Sequence, residues 1–298
     1  PGTVDGLIRA FEDHGSRKLS LQEILRPAIK LSEKGFYLSY YEAQRLNAYK
    51  SFFEKNKAAK KIFTRQDNQP WKENDKLVQL DLSKTLKKIA SYGRDGFYTG
   101  PVAKMIVEEM ERGNGLISMD DLASYTSKYR TPVKGTYKGY DIISMGPPSS
   151  GGTLLVNMLN MLEFYAEDNL EWNSSDYVHY ITEIQRRAYA DRAEHMGDPD
   201  FWDVPLETLQ SKEYAKSRIK NIRADKATPS ENVNAGKPYN YESIETTHYS
   251  VVDSQGNAVS VTTTINLGYG NGCVVEGAGF FLNNEMDDFS SKPGVPNA

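Results

Sequence analysis

The spacing of apolar residues is mainly helical in the first two-thirds of this chain of 298 residues and alternating near its end, and this change limits the folds that the chain can adopt. Before the change, apolar stripes have helical spacing, as in Leu82, Leu86 and Ile89. A polar stretch without periodicity follows from Asp225 to Tyr241 and predicts a linker or mobile loop. After it the period is two, which is typical of strands. A helical part followed by a strand-rich part predicts an α+β fold.

Local signals place several element boundaries. Ser20 to Glu23 has the spacing of a capping box, and Gly35 is a suitable stop for the helix that begins there. Ser118 to Asp121 predicts a second helix start in the same way. A strand pair is predicted around Lys138-Gly139. The Pro, Ser and Gly residues of 147–152 could meet an anion at a helix start, although an N-cap is the more common role of such residues.

The strand-rich part begins with a predicted hairpin. His248 to Asp253 and Ala258 to Asn266 are its strands, joined by a turn at Ser254 to Asn257. The glycine-rich residues Gly268 to Gly279 predict a flexible loop, and a third strand is predicted near Phe280 to Asn283.

Composition disfavours several functional classes. A formal net charge of -4 offers no electrostatic case for nucleic-acid binding. No apolar run approaches the about 20 residues that a transmembrane helix needs. The four histidines never fall at a metal-ligand spacing, so no metal is predicted. The single cysteine, Cys273, excludes an intrachain disulfide and is more typical of packing than of nucleophilic chemistry.

The peptide bond between Glu245 and Thr246 is a candidate for cleavage, because it lies shortly after the polar stretch and precedes a threonine. A threonine hydroxyl is a weak nucleophile unless a base lies beside it, and a free α-amino group on the same residue can be that base. An α-amino group titrates near about 7.7–8.0, so it accepts protons around neutrality. Cleavage of this bond would create nucleophile and base together. The Thr-Thr pair alone, however, is more typical of an ordinary strand.

Taken together, these segments resemble the γ-glutamyltranspeptidase family of N-terminal nucleophile hydrolases. Two blocks carry the resemblance most specifically, Thr246 to Asp253 and Asn283 to Ser290. Further matching segments extend over essentially the whole chain: Pro1 to Leu7, Leu25 to Ala28, Pro147 to Gly152, Tyr189 to Arg192, Gly197 to Pro199 and Leu282 to Asn297.

The resemblance implies a four-layer αββα sandwich and a precursor that cuts itself before Thr246. Residues 1–245 are then a mainly helical large-subunit portion, and residues 246–298 begin a strand-rich small subunit that stays associated with it. The resemblance makes Thr246 the nucleophile and Thr264 the hydroxyl that supports it through a hydrogen bond.

The same resemblance implies that Asn266, Glu285 and Asp288 hold the α-amino and α-carboxylate ends of a γ-glutamyl group. Two carboxylates suit an ammonium group, although Glu285 and Asp288 as an isolated pair are more typical of surface charges. The family's substrate-binding arginine is expected upstream of Pro1, and its serine pair and oxyanion glycines downstream of Ala298. Since lost oxyanion donors cost about 10²–10³ in rate, we expect little turnover from this portion alone.

The implied reaction passes a γ-glutamyl group from glutathione or a related compound through a Thr246 ester to water, an amino acid or a peptide, without a cofactor. The family also implies a periplasmic or extracellular location, although no signal peptide opens this chain. A glutaryl or cephalosporin acylase and a poly-γ-glutamate depolymerase on the same scaffold are alternatives. A glutaryl group carries no ammonium that could neutralise Glu285 and Asp288, and this disfavours a glutaryl substrate. An inactive fragment that acts as a binding or assembly module is the third alternative.

Overall fold

A computed structural model describes residues 2–165, 170–234 and 247–289. The described residues are mainly helical. Their α-helices in chain order are α1 (Gly2–His14), α2 (Leu21–Lys34), α3 (Tyr40–Ala48), α4 (Lys50–Phe53), α5 (Lys57–Phe63), α6 (Leu80–Tyr92), α7 (Asp95–Tyr98), α8 (Gly100–Gly113), α9 (Met119–Ser124), α10 (Gly151–Glu163), α11 (Ser175–His195), α12 (Leu206–Leu209) and α13 (Lys212–Ile219).

The described strands form three separate antiparallel pairs. These are β1 (Phe36–Tyr37) with β2 (Lys76–Leu77), β3 (Val133–Tyr137) with β4 (Tyr140–Ser144), and β5 (Thr247–Val252) with β6 (Ala258–Thr263). Helices and antiparallel strands together agree with the α+β class. Because a four-layer sandwich needs two larger sheets stacked face to face, and the described strands do not form them, the sandwich stays a prediction.

Element boundaries that depend on neighbouring residues agree with the predictions. Ser20 and Ser118 each complete a capping box, and Gly35 is the C-cap of α2. In the segment 147–152, for which an N-cap is predicted, Ser150 occupies the N-cap position of α10, but its side chain makes no capping hydrogen bond. Its backbone is already helical, with φ -75° and ψ -21°, whereas a capping serine needs an extended backbone. The Ser150 Oγ instead accepts a hydrogen bond from Arg192 Nε at 2.9 Å.

The third predicted strand is also wrong. Near Phe281 the described chain forms a single bridge to Val274, without a ladder. Gly277 and Gly279, at φ +81° and +80°, turn the backbone between the two bridge residues. On the opposite segment Gly272, at φ +77°, ends the extended backbone two residues before Val274, because an extended strand needs negative φ.

The described residues divide into two compact units. The first comprises those within Pro1–Lys128 and Ser243–Glu285, and the second those within Tyr129–Glu242 and Met286–Ala298. These units describe packing, whereas the predicted subunits 1–245 and 246–298 describe a cut in the covalent chain. The predicted subunit boundary therefore stays a prediction.

In the second unit, Thr228 of the predicted linker is hydrogen-bonded to helix α11. Glu183 and Arg187 form a buried ion pair at 2.6 Å on α11. Glu183 also accepts hydrogen bonds from the backbone N–H of Thr228 at 2.9 Å and from its hydroxyl at 2.6 Å. Burial alone raises the pKa of Glu183, but these bonds outweigh it and lower the pKa below its usual value. Thr228 is thus anchored, so the prediction of a mobile loop is wrong at this residue.

None of the described helices combines the length and apolar character needed to cross a membrane.

Candidate functional site

Two segments of the first unit lie side by side after β6, namely residues 264–267 and 282–285. Asn284 joins them. Its N–H donates to the carbonyl of Ile265 at 3.3 Å, and its Oδ1 accepts from the N–H of Leu267 at 3.0 Å. These two bonds set the position of Glu285, the next residue, against the end of β6.

Aromatic side chains anchor both segments in the core. Tyr269 and Phe53 have ring centroids 4.8 Å apart, and Phe281 stacks on Phe63 at 4.8 Å. Each pair contributes attraction beyond the burial of its surface. The glycine-rich loop, predicted to be flexible, is therefore fastened to the core through Tyr269.

Gly270 lets the two segments approach closely. Its φ of +54° lies in the left-handed region, and a Cβ atom on it would be 2.0 Å from the carbonyl oxygen of Leu282. Only glycine fits a position that combines this backbone angle with such a close backbone neighbour. The position of residues 282–285 thus depends on a residue without a side chain.

Asn266 and Thr264 are directly linked. The backbone N–H of Asn266 donates to Thr264 Oγ1 at 2.9 Å, and its Nδ2 donates to the carbonyl of Asn284 at 3.1 Å. Asn266 is 7% exposed and has φ +69°, a conformation that asparagine tolerates better than most residues. The Thr264 hydroxyl is consequently held in a defined place at the end of β6.

Thr264 and Glu285 border one cavity of about 490 Å³. Its lining comes from α1, from β5 and β6, and from the residues around Glu285: Gly2, Thr3, Gly6, Leu7, Tyr249, Val261, Thr262, Thr263, Thr264, Ile265, Asn283 and Glu285. Among the described residues that line it, Glu285 alone carries a charge. A cavity with several hydroxyls and one carboxylate suits an occupant that brings an ammonium group to the carboxylate end.

Helix α1 is held beside this cavity by Asp5. Asp5 Oδ1 accepts from Arg94 Nε at 2.8 Å, and Oδ2 accepts from the N–H of Ser127 at 2.6 Å. Burial acts to raise the pKa of Asp5, but the bonds from Ser127 and Arg94 outweigh it, so the pKa lies below its usual value. The carboxylate is therefore ionised at neutral pH and ties α1 to two distant parts of the unit.

The structure brings some of the predicted site residues together but not all of them. Thr264 and Glu285 share the cavity, and Asn266 is bonded to Thr264. Asp288 ends the short 3-10 helix Glu285–Asp288 and belongs to the second unit. Thr246 lies outside the described residues.

Two residues near the site were not singled out in the sequence, Asn284 and Thr262. Thr262 lines the cavity and pairs with His248 across the hairpin. The turn predicted at Ser254 to Asn257 would instead pair His248 with Thr263. The observed loop also includes Asp253, because Val252 pairs with Ala258, and this shifts the register by one residue. For Asn284 the local sequence offers no comparable signal, since its bonds depend on the approach of two separate segments.

Comparisons with known proteins agree on one family. A family model described as gamma-glutamyltranspeptidase matches residues 1–298. The glutathione hydrolase proenzyme of Escherichia coli (strain K12) is 45% identical over 297 residues, which cover 100% of this chain and 51% of that protein. This chain thus spans about half the length of the curated relatives it matches.

Two solved structures are similar to the present one. The gamma-glutamyltranspeptidase of Helicobacter pylori has a TM-score of 0.76 and 42% identity, over 79% of this chain and 67% of that chain. The cephalosporin acylase of Bacillus halodurans has a TM-score of 0.84 and 25% identity, over 100% of this chain and 54% of that chain. The fold is therefore common to proteins named for different substrates.

Proposed function

Because this chain belongs to the γ-glutamyltranspeptidase family, we propose that the protein transfers γ-glutamyl groups from glutathione and related compounds to water, amino acids or peptides. The main support is the cavity that Thr264 and Glu285 share, with Asn266 bonded to Thr264. It combines a held hydroxyl with a carboxylate suited to the substrate ammonium. No cofactor takes part in the proposed reaction.

The first proposed step is self-cleavage between Glu245 and Thr246. The Thr246 hydroxyl attacks the carbonyl carbon of Glu245, the peptide C–N bond breaks, and an ester forms while the nitrogen becomes the α-amine. Water then hydrolyses the ester, leaving the Glu245 carboxylate and a free Thr246 hydroxyl. Thr246 is covalently joined to Thr247, which pairs with Thr263 beside the cavity. This connection supports a role for Thr264 beside the nucleophile.

The second proposed step is acyl transfer. The α-amine of Thr246 takes the hydroxyl proton as Oγ attacks the γ-carbonyl carbon, and the same proton passes to the departing amine. Water or an amine then attacks the γ-glutamyl ester and regenerates the hydroxyl. Glu285 and Asp288 are proposed to bind the α-ammonium end, while Asn266 belongs to the group that holds the α-amino and α-carboxylate ends.

The remaining proposals concern the whole protein. We propose subunit portions 1–245 and 246–298, which stay associated, within an αββα sandwich. All residues of β5 are exposed in this chain, and an isolated two-stranded hairpin is marginally stable, which supports additional strands beside it. A periplasmic or extracellular location is proposed from the family alone.

An acylase remains the second candidate, because the similarity to the cephalosporin acylase extends over the whole chain. A glutaryl group has no ammonium, so it would cover the carboxylate of Glu285 without neutralising it, which is costly. Poly-γ-glutamate cleavage keeps γ-glutamyl chemistry and differs in substrate size. A binding or assembly module would bind without releasing product.

Two anilides separate these functions in the full-length protein. We expect kcat/KM for γ-glutamyl-p-nitroanilide to exceed that for glutaryl-p-nitroanilide by about 10- to 100-fold, the value of one charge-assisted contact. Glu285→Gln should reduce this preference, and Thr246→Ala should abolish release of nitroaniline. Equal or preferred use of the glutaryl compound would overturn the proposal, and glutamate binding by calorimetry without any release would indicate the binding module.

A further inference from the structure

The β5–β6 hairpin carries a histidine to which the proposed reaction assigns no role. His248 faces Thr262 across the strand pair, and its Nδ1 is 2.8 Å from Thr262 Oγ1. Its Nε2 is 3.2 Å from Ser260 Oγ and 3.4 Å from Ser250 Oγ. Both ring nitrogens therefore have hydroxyl partners, which hold the ring in one orientation over the hairpin.

The hydroxyl of Thr262 connects this histidine to the cavity. Thr262 lines the cavity together with Thr264, whereas His248 is not among the lining residues. When Nδ1 carries no proton, the Thr262 O–H donates to it, and only oxygen lone pairs remain for an occupant. When Nδ1 carries a proton, the ring donates, and the Thr262 O–H is available to donate into the cavity.

The position of Thr262 indicates which part of a substrate it would meet. Asn284 bonds to Ile265, so Glu285 lies beside the end of β6 that carries Thr264. Thr262 is two residues further along the strand, a distance of about 6.6 Å. With the ammonium end of a γ-glutamyl group at Glu285 and the reacting bond near Thr264, the next group along this line is the departing or accepting amine.

We propose that Thr262 contacts the acceptor amino acid or peptide, and that His248 is a positioning residue that sets whether the Thr262 hydroxyl donates or accepts there. The inference rests on the proposed function and adds to it a subsite for the acceptor. In the described chain the groups facing the ring are the hydroxyls of Thr262, Ser260 and Ser250, which carry no charge.

A ring that carries a proton on Nδ1 leaves Thr262 as a donor, which suits the carboxylate or amide oxygen of an acceptor. We therefore expect loss of the His248 ring to raise the KM for the acceptor.

The test uses the full-length protein, γ-glutamyl-p-nitroanilide as donor and glycylglycine as acceptor. Loss of one hydrogen bond predicts an acceptor KM about two- to tenfold higher in Thr262→Val. Donor hydrolysis should change by a smaller factor than the acceptor KM. His248→Ala should have a similar effect, and the double variant should be no worse than Thr262→Val. His248→Asn, which retains a polar partner for Thr262, should recover part of the loss.

Val252→Ala is the matched control, because Val252 lies on β5, the strand that carries His248, and its side chain is 68% exposed. We expect it to leave the acceptor KM unchanged. An acceptor KM in Thr262→Val equal to that of wild type, or equal losses in hydrolysis and transfer, would overturn this inference while the proposed function stands. Additive effects in the double variant would also overturn it. Absence of donor hydrolysis in wild type would overturn the proposed function itself.

Discussion

Asp5 holds helix α1 in place, and its replacement by alanine has a cost that the structure allows us to work out. The variant loses a bond to Arg94, whose side chain is 27% exposed, and a bond from the Ser127 N–H. Hydrogen bonds to charged groups are worth about 1.5–3 kcal/mol each. Arg94 keeps the carbonyl of Ala123 as a partner, so the two losses are not fully additive. We expect Asp5→Ala to lower the free energy of unfolding by about 2–4 kcal/mol.

Urea unfolding followed by circular dichroism measures this loss, which corresponds to a midpoint lower by about 1 M. Asp5→Asn is the control, because its oxygen can still accept one bond, and we expect about half the loss. The folded-state pKa of Asp5 is lowered, so its stabilisation is full above the ordinary value of 3.8 and decreases as pH falls below it. A midpoint within about 0.2 M of wild type at pH 7 for both variants would refute the argument.

Two further predictions concern the glycine-rich residues Gly268 to Gly279. Gly270→Ala should cost about 2–5 kcal/mol, because it combines left-handed strain with a contact of 2.0 Å to the carbonyl of Leu282. Gly256→Ala, at φ +83° with open space around it, should cost only about 1 kcal/mol; equal urea midpoints would contradict the packing argument. Burial, with a smaller contribution from Glu109, raises the pKa of Cys273 to about 12. Iodoacetamide should therefore label Cys273 in the folded protein at pH 8.5 more than about a hundredfold more slowly than in urea, and similar rates would refute this pKa.

Features set by neighbouring residues could be predicted from the sequence. The capping boxes at Ser20 and Ser118 involve residues three apart, and the hairpin forms where it is predicted. Its register differs by one residue, because the loop includes Asp253. Two of the departures from prediction involve distant partners. Ser150 meets Arg192, and Thr228 meets Glu183, 42 and 45 residues away respectively. A pattern confined to a few residues contains no information on such contacts.

The candidate site shows the same limit. The bond between Asn266 and Thr264 is local, because it joins residues two apart. It forms just after strand β6, where Asn266 adopts a left-handed backbone conformation. The contribution of α1 to the cavity wall depends on Asp5 and on a contact with Ser127, 122 residues away. The cavity wall could therefore not be predicted from local patterns, and the roles of the site residues, which the family resemblance implies, stay predictions.

The central claim is that Thr246 becomes the N-terminal nucleophile of a processed chain. Mass spectrometry of the full-length protein, after incubation with a γ-glutamyl donor and rapid acid quenching, tests it most directly. We expect a fragment that begins at Thr246 and carries a γ-glutamyl group on that residue, and an uncleaved Thr246→Ala variant. A wild-type protein that remains uncut between Glu245 and Thr246, or one whose γ-glutamyl group is attached to a different residue, would contradict the claim.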